Sequence, residues 1–106
     1  MTRTKLPDRR AAETIEFVHD NLTYIVTFFR FPDGTLAELF MDVAKPGTPM
    51  NLIAKDMATL ASIALQRGVP LSEITAALSQ ELNGTMLGPL GVALALIEHY
   101  RGEAPK

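Results

Sequence analysis

The hydrophobic pattern changes period part-way along the chain. From Glu13 to His19 apolar and polar positions alternate, with Ile15 and Phe17 on one face and Glu16 on the other, as in a half-buried strand. Asp20-Asn21 follows, a pair that tolerates positive φ and suits a tight turn. Leu22 to Arg30 is rich in β-branched and aromatic residues and has no Gly or Pro, which predicts a second strand. Tyr24, Val26 and Phe28 share one face, and Ile25 and Phe29 the other, so this strand reads as the central one. Pro32-Asp33-Gly34 makes the next turn. Leu36 to Ala44 returns as a third strand, with Leu39, Met41 and Val43 inward and Glu38 and Asp42 outward.

Helical spacing then takes over. Thr48 is placed to cap a first-turn N–H and Pro49 suits the first helical position. Met50, Ile53, Met57, Leu60 and Ala64, widened by Ala61 and Leu65, form the predicted buried stripe. Asn51, Lys55, Ser62 and Gln66 fall on the opposite face. Gly68 ends this helix and Pro70 prevents its continuation. Ser72 is the expected N-cap of a second helix, with Leu71 as a hydrophobic staple on Ala76 and Asn83-Gly84 as its end. Pro89 starts a third, apolar nearly all round from Leu90 to Ile97.

The elements predict an α+β fold, a three-stranded antiparallel β-meander followed by three α-helices, with the longest helix packed on the sheet. Residues 1–11 read as a disordered basic arm, 12–102 as a single domain and 103–106 as a frayed tail. The encircling apolar surface of the third helix also predicts an interface through Leu90, Leu94 and Ile97, and hence a homodimer.

Composition narrows the function. The chain is 47% hydrophobic and 21% charged, ordinary for a globular domain. Cysteine is absent, which excludes disulfides, thiolate metal sites and cysteine nucleophiles. No apolar run reaches the roughly 18 residues of a spanning helix, and no apolar segment follows the basic residues at the start. No membrane association and a cytoplasmic location are therefore expected. Arg3, Lys5, Arg9 and Arg10 concentrate positive charge in the arm, leaving six basic and eleven acidic residues in the rest. A body of that sign repels a phosphate backbone, so nucleic acid is not the expected partner.

Candidate chemistry is sparse. His19 and His99 have no partner at metal-ligand spacing, and no Ser lies in a Gly-x-Ser-x-Gly setting. No catalytic residue, metal site or cofactor is assigned. The most site-like feature is the start of the long helix, where Lys45, Gly47, Thr48, Asn51 and Lys55 gather a cation, a small residue and hydrogen-bonding groups at a positive helix end. Such an end suits an anion or a nucleotide-like ligand.

The order of strand residues, FPDGTLAELFMDVAKPGT and a long helix ending IALQRGVPLSEI resembles the C-terminal accessory domain of adenosylcobalamin-dependent ribonucleotide reductases. The likeness runs from about Leu6 to Leu82. It is carried most specifically by Asp33-Gly34, by Ala44-Lys45 with Gly47-Thr48, and by Ala64-Leu65 with Gly68-Val69-Pro70-Leu71. The segment PLGVALALI is similar to the closing helix of some members. That family is named for a Thr-Ser-Cys-Pro-Asp motif and also occurs as small free-standing proteins. The cysteine of the motif is missing here, and the reductase's radical-generating, cobalamin-binding and substrate residues belong to a barrel domain not found in this chain. The resemblance implies a non-catalytic binding or regulatory module, not an enzyme, that takes a nucleotide-like ligand or a protein partner. The other class left open is a small inhibitor or sequestering protein of phage or mobile-element origin.

Overall fold

A computed structural model describes residues 11–45 and 47–100. The expected basic arm up to Arg10 and the expected tail lie outside the described residues. Three strands, β1 (Glu13–His19), β2 (Leu22–Arg30) and β3 (Leu36–Val43), form one antiparallel sheet in the order β1-β2-β3. Three helices follow, α1 (Pro49–Gln66), α2 (Leu71–Ala77) and α3 (Pro89–His99). The α+β meander and the packing of the longest helix on the sheet are as the sequence predicts.

Asp20 and Asn21 both take positive φ, 50° and 65°, so β1 and β2 are joined by a two-residue turn whose twist matches the strands. Direct pairing of Ile15 with Val26 and of Phe17 with Tyr24 puts these residues on one face. Met41 and Val43 join them from β3. Between Phe29 and Arg30 the β2–β3 register shifts. The bulge breaks strict alternation, and Leu36, Ala37, Glu38 and Leu39 are all buried. Glu38 was expected to face outward with Asp42; it is instead only 8% exposed, beside Ala37, where the last turn of α1 crosses the strand.

The face that α1 buries differs from the predicted stripe. Ala54, Ala58, Ala61, Ser62, Leu65 and Gln66 are buried, whereas Leu52, Ile53 and Leu60 are exposed. The cause is the free edge of β3. Asn51 Oδ1 accepts the N–H of Val43 at 2.9 Å, and the Ser62 hydroxyl bonds both the N–H and the carbonyl of Leu39. Gln66 Nε2 donates to the carbonyl of Ala37. Small residues bring the helix backbone close, and its polar side chains take the place of a fourth strand.

The helix ends also depart from expectation. No side-chain bond is made by Thr48 at its cap; its carbonyl accepts the N–H of Asn51 instead. The second helix is capped by Pro70, whose carbonyl accepts the N–H groups of Glu73 and Ile74, and not by Ser72. It stops at Ala77, well before Asn83-Gly84. Beyond it Gln80 and Met86 form an antiparallel bridge, and the ring of His19 donates to the carbonyl of Leu87 at 3.0 Å. This holds the loop before α3 against the end of β1.

Leu90, Leu94 and Ile97, expected at an interface, are placed in the core. Leu90, Leu94 and Ile97 are 8%, 0% and 1% exposed within the single chain. They join the core cluster with Phe28, Leu39, Met41 and Leu65. A short sheet with one long helix leaves part of its inner face open, and α3 closes it. No helix among the described residues is long and apolar enough to cross a membrane.

Candidate functional site

Two turns and the end of α3 enclose a groove of about 530 Å³, within the roughly 300–1,000 Å³ range of ligand pockets. The first turn joins β2 to β3. Phe31 N–H donates to the carbonyl of Thr35 and Gly34 N–H to that of Phe31, with Gly34 at φ 92°. Asp33 Oδ1 accepts both the Thr35 N–H, at 2.9 Å, and the Thr35 hydroxyl, at 2.6 Å. These bonds from Thr35, the side-chain one foremost, hold the Asp33 carboxyl below its ordinary range.

The second turn closes α1. Gly68 N–H donates to Leu65 and Val69 N–H to Ala64, the paired bonds of a helix terminated by a left-handed residue. Gly68 takes φ 93°, and Pro70 then diverts the chain into α2. Leu65, Val69, Pro70 and Leu71 thereby give the groove an apolar lining, which Phe31 of the first turn and Leu36 at the start of β3 extend, and Glu98 of α3 also lines it.

Arg30 ties this region together. Its Nε donates to Glu13 Oε1 at 2.9 Å, its Nη1 to the carbonyl of Gly34 and its Nη2 to the carbonyl of Tyr100. Its guanidinium also lies 5.4 Å from the centroid of the Phe28 ring, with Tyr100 edge-on to that ring from a neighbouring position. The start of β1 and the end of α3 are thus anchored to one side chain at the groove's margin.

The residues predicted at the start of α1 are distributed differently. Lys45 and Gly47 are exposed. Asn51 turns inward to β3, and Lys55 Nζ lies 3.3 Å from Asp42 Oδ1, both side chains about half exposed. Asn51 and Lys55 are thus engaged by the strand, not directed to a common point outside the helix end. Among the described residues no three His, Asp or Glu side chains gather as a metal-holding group.

The groove was missed from the sequence because its parts lie far apart in the chain. The signal was present nonetheless. Asp33, from the Asp33-Gly34 segment, and Leu65 with Gly68-Val69-Pro70-Leu71 meet at this groove, so two of the segments that carry the family resemblance contribute to it.

The sequence profile of the TSCPD domain matches residues 2–100. This chain belongs to the TSCPD domain family. Among curated proteins, the vitamin B12-dependent ribonucleotide reductase of Rhodopirellula baltica is 34% identical over 89 residues, 84% of this chain and 8% of the relative. The reductase of the same name from Bradyrhizobium diazoefficiens is 35% identical over 71 residues, 67% of this chain and 6% of the relative. That of Agrobacterium fabrum is 34% identical over a stretch of the same length. The TSCPD domain therefore spans only a small part of the curated relatives it matches. No solved structure matches this chain.

Proposed function

We propose that this TSCPD domain is a non-catalytic docking module that acts on a polypeptide partner in nucleotide metabolism, with a regulatory consequence for that partner. The observation that carries the reading is the groove built where two turns of the family resemblance meet. Its apolar wall suits an inserted side chain more than a reacting substrate. The Thr35 hydroxyl and Asp33 do pair there, but a carboxylate held below its ordinary range is a poor base near neutral pH. The identity shared with bacterial reductases favours this role over that of a phage or mobile-element inhibitor.

The test adds this chain to a B12-dependent reductase whose matching segment has been deleted. Co-elution on size exclusion and a change in deoxynucleotide formation are expected, both lost with Leu71→Glu after its folding is checked by circular dichroism. The chain alone should form no deoxynucleotide. Absence of co-elution, or turnover by the isolated chain, would defeat the proposal.

A melting screen against nucleotides supplies the counter-test. Ligand at a hundred times its dissociation constant adds about 2.7 kcal/mol, which at roughly 4–8 °C per kcal/mol raises the midpoint of a domain near this size by more than about 10 °C. A flat panel is expected. A shift of that size would replace docking with nucleotide binding, for which the start of α1 is the other candidate.

A further inference from the structure

We propose that the outward face of α1 pairs with the same face of a second copy of this chain, antiparallel and about a two-fold axis. The helix has two apolar faces, and its own chain covers one of them. Ala54, Ala58, Ala61 and Leu65 are buried, whereas Leu52, Ile53 and Leu60 are 68%, 50% and 69% exposed and Ile63 is half-buried. Most polar side chains of α1 are used within the chain. Asn51, Ser62 and Gln66 bond the edge of β3, Lys55 pairs with Asp42, and the Thr59 hydroxyl donates to the carbonyl of Lys55. Asp56 is the one other polar residue of the helix. A helix that is apolar nearly all round is ordinarily buried on more than one side, and cover for the second face recovers hydrophobic free energy.

The order of the exposed positions identifies the occupant. At the helical period Leu52, Asp56, Thr59 and Ile63 run along one side of the strip, and Ile53 and Leu60 along the other. Both rows are centred within a residue of Met57. A two-fold axis at that point sets Leu52 against the second copy's Ile63, Ile53 against its Leu60 and Asp56 against its Thr59, and each contact occurs twice. A strip with its apolar residues gathered at one end could not pair with itself in this way. The available area sets the strength. The outward half of this 18-residue helix, about 27 Å long and 10–12 Å across, presents on the order of 450 Å². Two such faces fall just short of the roughly 1,000 Å² expected of a stable interface. Phe40 of β3, 49% exposed beside Lys55 and Thr59, extends one flank. The two Asp56 carboxylates come within about 5 Å of each other along the axis and oppose the pairing. The dimer is therefore one that forms at high micromolar concentration and dissociates on dilution.

The absence of cysteine permits a direct test of the geometry. Leu52→Cys and Ile63→Cys are prepared separately, checked for folding by circular dichroism, and mildly oxidised alone and as an equimolar mixture. The mixture should give a disulfide-linked dimer, and either variant alone far less. Like positions lie about 16 Å apart along the paired helices, whereas a disulfide needs Cα atoms within about 7 Å. Sedimentation of the unmodified chain should show a mass that rises from monomer towards dimer with concentration. Leu60→Lys, at an exposed position, should weaken that association roughly tenfold, equivalent to about 1.4 kcal/mol, and Asp56→Asn should tighten it. A chain that stays monomeric to millimolar concentration would overturn the inference and leave the face to a different partner. Either cysteine variant linking to itself as readily as the mixture would overturn the antiparallel arrangement. Association unchanged in Leu60→Lys would move the interface off α1.

Discussion

The hydroxyl of Ser62 and the backbone of Leu39 form a closed exchange between α1 and β3. Leu39 N–H donates to Ser62 Oγ at 2.9 Å, and the same oxygen lies 3.0 Å from the carbonyl of Leu39. The carbonyl of Ala58 is 2.8 Å away. A hydroxyl has one proton, so these two carbonyls share it while the N–H of Leu39 has a constant acceptor. Ser62→Ala should leave that buried N–H without a partner and destabilise the fold by about 1–3 kcal/mol. Ser79→Ala, on an exposed residue, should stay within about 0.5 kcal/mol. Urea denaturation of the two variants measures the contrast; equal values would mean the edge bond contributes nothing.

Leu94 is wholly buried by its own chain, so its truncation should act on folding and not on association. Leu94→Ala is expected to cost about 2–5 kcal/mol, with a cavity left against the sheet. The loss should be independent of protein concentration. A midpoint that rises with concentration in the wild type and not in the variant would restore α3 as an interface.

Gly68 carries φ 93°, and a Cβ added there would meet nothing within 4 Å. The penalty of Gly68→Ala is therefore conformational alone, about 1 kcal/mol or somewhat more. Because this residue sets the direction of Val69 and Pro70, amide signals along the groove wall should move with it. Signals unchanged there, with stability lost, would separate the turn from the groove.

The two resolved titrations act at opposite ends of the pH range. Asp33 is held below its ordinary value of 3.8 by its bonds from Thr35. It contributes stability above the unfolded value, and that contribution disappears as pH falls through the lower folded value. Tyr24 is raised above 10.0, by burial first and by the Asp20 charge second. Its contribution is complete below the unfolded value and is lost as pH rises through the higher folded one. A carboxyl titration by NMR and an ultraviolet titration of the phenol check the two directions. Ordinary values in both would mean that neither environment forms in solution.

The contrast between Gly68 and Ser62 explains what could be read in advance. A glycine before a proline acts through its own dihedral angles, so the end of α1 was legible locally, as were the Asp20-Asn21 and Asp33-Gly34 turns. Ser62 and Gln66 read as solvent-facing because amphipathic analysis scores a polar side chain as outward. It has no means of registering an unpaired strand edge. The alanines at 54, 58 and 61 add little hydrophobicity, so the stripe through Ile53 and Leu60 outweighed them. At the groove two segments that carry the resemblance come together, yet nothing local joined Asp33 to Gly68 across the intervening strand and helix.

The sequence by itself determined the succession of three strands and three helices, the position of the positive-φ turns and the family resemblance. Each of these follows from period, backbone preference or local residue order. Tertiary structure alone decided which face of α1 is buried, that α3 belongs to the core, and that two distant turns enclose a groove. Those outcomes depend on satisfying the N–H and carbonyl groups of β3's free edge and covering the rest of one sheet face. Such requirements exist only once the sheet has formed.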